Sequence, residues 1–310
     1  MRYSILLATL GRTAELDTFF SSLDRQTHRD FEVIVIDQNP GEVLKPIVGE
    51  WRSHFPVRRI PSAPGHSRAF NRGLTQVRGD IVAFPDDDCW YGPNLLEQVE
   101  RRLRENPQWS GITGREIVGP GFTSGGRWDK RGGPINRRNV FRRAICFSMF
   151  LRSGVVANYR FDESLGVGAK TKWGAGEESD YLLRIVQDGH RIEYLPEIAV
   201  WHQGRSGPCT AETYARARSY ARGMGRVLRK HNYPLWMVAP HCIRPMGGAL
   251  LALAGCRPQQ SRLHWSNLTG RVEGWLSVWR SQEPGQEAEQ RTPGVQAPVP
   301  VRLSSGKDVP

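Results

Sequence analysis

GDIVAFPDDD, residues 79–88, sets the apolar run Ile81–Phe84 before Pro85 and three consecutive carboxylates. A short apolar run closed by turn residues is the pattern of a strand buried on both faces. The pattern recurs on working outward. FEVIVIDQNP (31–40) is a Val/Ile run halted by Asp37 and Pro40, Tyr3–Leu7 runs into Ala-Thr-Leu-Gly, and Val57–Ile60 is a further candidate. Helical periods separate these strands. Leu16, Phe19, Phe20 and Leu23 share one face after a capping Thr13, with Glu15 and Asp17 favouring the dipole in the first turn. Ser67–Gln76 reads as a second helix, and Asn94–Asn106 as a third with Leu95, Leu96, Val99 and Leu103 on one side. Alternation at this spacing predicts a doubly wound α/β fold with a parallel sheet. Ligands of such sheets bind beyond the carboxyl ends of the strands, so Thr9, Asp37 and the triplet Asp86–Asp88 are expected at one edge.

Composition narrows the partners. The 310 residues carry a net charge of +12, which calls for an anionic partner: nucleic acid, an anionic membrane surface, or a nucleotide or phosphate substrate. Five scattered cysteines without a CxxC pair argue against a disulfide framework or zinc site and for a reducing compartment. The first apolar run is too short for a signal-peptide core and flows into a helix start, so a cytoplasmic catalytic domain is expected.

The middle of the chain, Gly119–Asn139, reads as a long loop over the site, and residues 145–152, Arg191–Leu195 and Ile198–Trp201 as extended segments. FDESLGVGAKTKWGAGEESDYLLRIVQDG (161–189) runs from a glycine-laden loop into a helix ended by Gly189. Beyond residue 208 the character changes. Thr210–His231 is an Arg-crowded helix, and Leu235–Cys256 is apolar but interrupted by Pro240, His241, Arg244 and Pro245. Its unbroken run, Met246–Cys256, falls short of the roughly 20 residues a spanning helix needs. Leu268, Val272, Trp275, Leu276 and Trp279 make an amphipathic stripe, and a Pro-, Gln- and Glu-rich tail from Gln282 is expected to be disordered. The expected division is a domain over 1–208, its donor half about 1–115 and its acceptor and base half about 116–208, then a helical extension over 209–281 and the tail, 282–310.

Four clusters carry chemistry. Three adjacent carboxylates repel one another, and a hard divalent cation supplies the missing charge. Mg²⁺ takes one or two protein carboxylates and finds its other ligands in waters and substrate phosphates, which suits Asp86 and Asp88 at a strand end. In GAGEESDYLLR (174–184), glycines lead into Glu177 and Glu178 at a helix start, where the dipole favours anions and a carboxylate can serve as general base. In VWHQGRSG, His202 follows an apolar strand, a position equally open to packing. In PGHSRAFNRGL (64–74), Gly65 and Gly73 permit close backbone approach, and Arg68 and Arg72 suit phosphate oxygens. No P-loop and no GxGxxG occurs near the first strand.

It is the order of these pieces that carries a resemblance. ATLGR (8–12), VIVIDQNP (33–40), GHSRAFNRG (65–73), GDIVAFPDDD (79–88), RFDESLGVG (160–168), GEESDYLLR (176–184) and WHQG (201–204) follow one another as in the inverting nucleotide-sugar glycosyltransferases of family 2. The chain resembles that family over about residues 1–205. The resemblance implies a GT-A fold with a mixed, mainly parallel sheet and a helical C-terminal extension. It implies a nucleotide-diphospho-sugar donor and a saccharide or lipid-linked saccharide acceptor. Mn²⁺ or Mg²⁺ would be held by Asp86, Asp88 and His202. Thr9, Arg12, Asp37, Asn39, Gly65, Arg68, Asn71, Asp86 and Asp87 would serve the donor, Trp173 and Asp180 the acceptor, and Glu178, preceded by Glu177, the base. The family's base is usually Asp, and its Ala-Arg-Asn reads Ala69-Phe70-Asn71 here, leaving Arg68 or Arg72 to supply the missing arginine. The QxxRW motif and membrane helices of processive synthases are absent from the reading, which favours transfer of one sugar in polysaccharide or glycolipid synthesis.

Two other classes stay open on residues alone. A metal-dependent nucleotidyltransferase also uses strand-end acids, but wants a Lys-bearing Gly-rich loop that Ala8–Arg12 lacks. A nucleic-acid-binding protein would use the basic C-terminal part, yet the Trp- and Leu-rich segments there suit a peripheral site on an anionic membrane, or plain packing, better.

Overall fold

A computed structural model of the chain describes residues 1–119, 126–204, 207 and 209–277. The expected tail and Trp279 lie outside the described residues. Strands and helices alternate first: β1 (Tyr3–Thr9), α1 (Ala14–Asp24), β2 (Phe31–Asp37), α2 (Lys45–Trp51), β3 (Val57–Pro61), α3 (His66–Leu74) and β4 (Ile81–Ala83). Then come β5 (Cys89–Trp90), α4 (Leu95–Glu105), β6 (Gly111–Ile117), β7 (Gly133–Pro134), α5 (Val140–Arg143), β8 (Met149–Arg152), α6 (Ser153–Val156), α7 (Glu177–Gln187) and β9 (Ile192–His202). The helices α8 (Ala211–Lys230), α9 (Leu235–Ala254) and α10 (Pro258–Leu276) follow.

Every residue of β1 and β2 is buried, which is why their sequences show no alternation. Successive side chains of a strand point to opposite faces. Tyr3, Ile5 and Leu7 therefore join Leu16, Phe19, Phe20 and Leu23 of α1 in one core, while Leu6 and Ala8 join Ala69, Phe70 and Leu74 of α3 in another. The sheet runs β3-β2-β1-β4-β8-β6-β9-β5, with β7 added to β9. Strands β1–β4 are parallel, β8 is antiparallel to β4 and β6, and β6 pairs parallel with β9. The sheet is thus mixed and mainly parallel, with helices on both faces. Register fixes the functional edge: Thr9 lies opposite Asp37, and a lone parallel bridge joins Ala8 to Asp86.

Several local expectations are corrected. Thr13 stands at the N-cap of α1 but makes no side-chain cap bond. Helix α2 follows a Pro at its first turn, a start signal that its short apolar pattern hid. Residues 146–148 form a single 3₁₀ turn before β8, because the Ser148 hydroxyl bonds back to the carbonyls of Ile145 and Gly114. The two segments expected at 191–201 are one strand, β9, running through Pro196. A register shift between Thr113 and Arg115 accommodates the proline, and Arg115 Nε donates to its carbonyl at 2.7 Å.

The largest correction concerns residues 235–254. They form one continuous 20-residue helix despite Pro240 and Pro245, and by length and composition it is apolar enough to cross a membrane. Pro245 cannot donate to the carbonyl of His241 four residues back. Arg271 of α10 satisfies that carbonyl instead, its Nη1 donating at 2.5 Å. Helices α8 and α10 meet through small residues: Ala217, Ala221 and Gly225 recur every four residues on one, Gly270 and Gly274 on the other. A Cβ on Gly274 would lie 2.1 Å from the Arg222 carbonyl oxygen, and one on Gly225 2.2 Å from that of Arg271.

Helix α8 is in turn locked to α7. Asp180, an expected acceptor contact, has no accessible surface and so does not reach an acceptor. It takes ion pairs from Arg184 at 3.1 Å, Lys230 at 2.9 Å and His231 at 2.9 Å. Burial alone would raise its pKa, but Arg184, Lys230 and the hydrogen bond with His231 hold it well below the usual carboxylate range. Lys230 also reaches Asp162 at 2.6 Å.

Two outcomes follow for urea unfolding. Gly274→Ala costs about 1–3 kcal/mol through overpacking, whereas Gly92→Ala, with nothing within 4 Å of the added methyl, is near neutral. Asp180→Ala costs about 3–5 kcal/mol by stranding buried cations. Wild-type stability with a raised acceptor KM would instead restore Asp180 to the acceptor site.

Candidate active site

The triplet emerges from β4 at the sheet's carboxyl edge. Asp87 is the most buried of the three, its side chain 8% exposed against 27% for Asp86 and 14% for Asp88. Arg12, in the loop after β1, bridges two of them: Nη1 lies 2.5 Å from Asp87 Oδ1 and 2.8 Å from Asp88 Oδ2. Burial raises the Asp87 pKa against the pull of Thr9 and Arg12. Held against Thr9 and Arg12, Asp87 braces the triplet from within.

The short strand β5 decides what stands next to Asp88. It pairs antiparallel with the end of β9, setting Cys89 opposite His202 and Trp90 opposite Trp201. The two indoles stack at 6.0 Å and 7°. His202 Nε2 thereby lies 3.1 Å from Asp88 Oδ1, and Nδ1 3.3 Å from Glu116 Oε1 on β6, with the ring stacked on Phe147. One ligand atom each from Asp86, Asp88 and His202 lies within 4.8 Å of the others. Two carboxylates and an imidazole fit a divalent cation of the Mn²⁺ kind better than Mg²⁺, which prefers oxygen alone. Glu116 stands behind the imidazole, on the side away from Asp88, where a carboxylate would favour its orientation toward a cation.

A second histidine links this group to the start of α7. His66 opens α3, its Nε2 3.5 Å from Asp86 Oδ1 and its Nδ1 3.1 Å from Glu177 Oε1. Burial works against a charged ring here, but the contacts with Asp86 and Glu177 outweigh it and lift the His66 pKa to about 10. The same balance, with Asp88 and Glu116 as partners, lifts His202 to about 10. Glu177 is 6% exposed, and its Oε2 is buried without a hydrogen-bond partner. Gly166, at φ 99°, packs so close that a Cβ would lie 2.9 Å from the Glu177 carboxyl carbon. Glu178 is only partly buried, and burial together with the charge of Glu177 pushes its pKa up to about 8. A carboxyl poised near neutrality is what a general base requires.

At the end of β2, Asp37 and Asn39 form a linked pair. Asp37 accepts from Arg59 Nε at 2.6 Å and from the Asn39 backbone and side-chain nitrogens at 2.9 and 2.8 Å. Asn39 Oδ1 in turn accepts from the Gly11 amide at 2.6 Å. Thr9 is 1% exposed at the end of β1.

The residues of α3 expected to serve the donor are placed otherwise. Arg68 pairs with Glu163 at 2.9 Å, and Asn71 exchanges bonds with the backbone of Phe161. The close approach that Gly65 permits is to Gly168, where an added Cβ would lie 3.2 Å from the Gly65 Cα. These three hold the 161–168 loop to α3, and Phe70, at the family's arginine position, is buried against Phe84 and Phe161. Arg72 is exposed in the last turn of α3, so the cationic group that α3 presents to the triplet is His66. Trp173 sits at the joint with α8, between Lys172 Nζ at 4.7 Å and the Arg226 guanidinium at 5.3 Å from its ring. His66 and Glu116 were missed in the sequence. Glu116 had no signal, standing beside Arg115 in a strand of mixed polarity, and His66 had only its place after Gly65 at a helix start.

Comparison with known proteins matches this geometry. Residues 4–155 match the family model "Glycosyl transferase family 2". An uncharacterized glycosyltransferase of Haemophilus influenzae is 27% identical over 220 residues, 68% of this chain and 72% of its own. A Campylobacter jejuni protein named GalNAc(5)-diNAcBac-PP-undecaprenol beta-1,3-glucosyltransferase is 23% identical over 190 residues, 56% of this chain and 58% of its own. Among solved structures, a mannosyltransferase from Pyrobaculum calidifontis in complex with GDP-Man and Mn²⁺ superposes with a TM-score of 0.61 at 13% identity, covering 88% of this chain and 86% of its own. Residues 4–155 thus belong to the family 2 glycosyltransferases, and the strand order and these relatives agree with a GT-A fold.

Proposed function

We propose that the chain transfers one sugar from a nucleotide-diphospho-sugar to an acceptor hydroxyl with inversion at the anomeric carbon. The observation that carries this reading is the meeting, through His66, of Asp86 and the Glu177–Glu178 helix start beyond the strand ends. Donor binding falls to Thr9, Asp37 and Asn39 on the nucleoside side and to Asp86, Asp88 and His202 at the diphosphate. Mn²⁺ or Mg²⁺ held by those last three would neutralise charge on the departing nucleoside diphosphate.

The rest is done by the chain's own groups. The Glu178 carboxylate accepts the acceptor hydroxyl proton as that oxygen attacks the anomeric carbon. The bond from that carbon to the diphosphate oxygen breaks, and the nucleoside diphosphate leaves with its electron pair. Glu177, fixed by His66 and Gly166, keeps negative charge beside Glu178 and so raises its basicity. His66 positions both acids without itself touching the sugar. The acceptor we assign is a saccharide or lipid-linked saccharide of polysaccharide or glycolipid synthesis, in keeping with the lipid-pyrophosphate substrate in the name of the Campylobacter relative.

Kinetics with a nucleotide-sugar panel test this. Glu178→Gln lowers kcat about 10²–10⁴-fold while nucleotide binding persists. A base must be deprotonated to act, so kcat/KM for the wild type rises with pH through about 8, and the variant loses that limb. Unchanged turnover in Glu178→Gln, or no nucleotide sugar bound or consumed, overturns the reading.

A further inference from the structure

Helix α9 is amphipathic, but the apolar face points outward. Its inward residues are small or few: Val238, Pro245, Ala249 and Ala252 are the buried ones. The outward line carries Trp236, Ile243 and Leu250, seven residues apart and 64%, 58% and 55% exposed. At 3.6 residues per turn these lie on one stripe, flanked by Met246, Leu251 and Leu253 at 41%, 75% and 61% exposure. Such an apolar face on a water-soluble surface marks an interaction site.

Charge says what covers it. Between residues 213 and 272 the sequence holds ten Lys and Arg and no Asp or Glu. Arg244 on α9 and Arg257 just after it are exposed, and the Arg138 guanidinium lies 5.7 Å from the Trp236 ring. A second copy docking by the same face would bring two such positive borders together. Anionic headgroups complement them, while the apolar stripe enters the acyl boundary.

The attachment of α9 also sets its orientation. Arg271 donates to the His241 carbonyl and Ser261 Oγ to that of Ala249 at 2.9 Å, so α9 is bonded lengthwise to α10. Crossing a bilayer would strip the His241 carbonyl of its partner in hydrocarbon. We propose that α9 lies in the plane of an anionic membrane, its Trp236–Ile243–Leu250 stripe inserted and its exposed arginines on the headgroups. Through α8, whose Gly223 packs against the Ala175 backbone just before α7, this anchors the base helix close to the bilayer. The inference is independent of the transfer chemistry, since binding is read without turnover.

Flotation of the full chain tests it, with vesicles of phosphatidylcholine alone or mixed with phosphatidylglycerol. The wild type floats with the mixed vesicles and not with phosphatidylcholine alone. Arg244→Gln and Arg257→Gln each weaken binding about fivefold. The double variant Ile243→Glu/Leu250→Glu, altered only at exposed positions, abolishes flotation while its thermal melt and its binding of nucleoside diphosphate stay those of the wild type. Three results overturn the proposal: no flotation of the wild type, flotation undiminished in the double variant, or a wild-type dimer in light scattering that the double variant dissolves without any vesicle binding.

Discussion

Mutual repulsion of carboxylates is the constraint on which this molecule is built. Asp86, Asp87, Asp88, Glu116, Glu177 and Glu178 are brought together at one sheet edge, and each is expensive to bury beside the others. The chain meets that cost with Arg12 across Asp87 and Asp88, His66 between Asp86 and Glu177, and, between Asp88 and Glu116, His202, whose ring gives up a proton when it ligates a cation. Every one of these contacts joins residues far apart in sequence. The sheet register therefore exists to deliver them, and the two-residue strand β5 matters more than its length suggests. Without its pairing to β9, His202 would not stand beside Asp88.

The same logic, with the sign of the task reversed, holds the C-terminal helices in place. Asp180 is a buried acid whose role is to be saturated, and Arg184, Lys230 and His231 saturate it. Two acids three residues apart on α7, Glu177 and Asp180, thus do opposite things. One keeps an oxygen without a partner next to the base; the other is spent tying α7 to α8. Burial is similar for both, and the number of cations within reach makes the difference.

Much of this was legible in the sequence. Continuous apolar runs ended by Thr9, Asp37 and Asp86 fixed a parallel sheet and its functional edge, because strands buried on both faces cannot alternate. What escaped depended on partners distant in the chain. His66 looked like one residue of a basic helix, and only the fold brings Asp86 and Glu177 to it. Asp180 matched a family position, but sequence cannot show that Arg184, Lys230 and His231 will surround it. Prolines 240 and 245 read as helix breakers because the group that relieves the second, Arg271, lies 26 residues further on. Arg68 and Asn71 read as donor contacts because the 161–165 loop that claims them has no pattern of its own.

The central claim is that Asp86, Asp88 and His202 form one divalent-cation site that works with the donor diphosphate. Titration of the full chain with Mn²⁺, followed by the electron paramagnetic resonance of the free ion, tests it most directly. The account predicts one Mn²⁺ per chain, bound more tightly when a nucleoside diphosphate is present, lost in Asp88→Ala and weakened in His202→Ala. Mn²⁺ binding that is absent, or that survives unchanged in both variants, would contradict it.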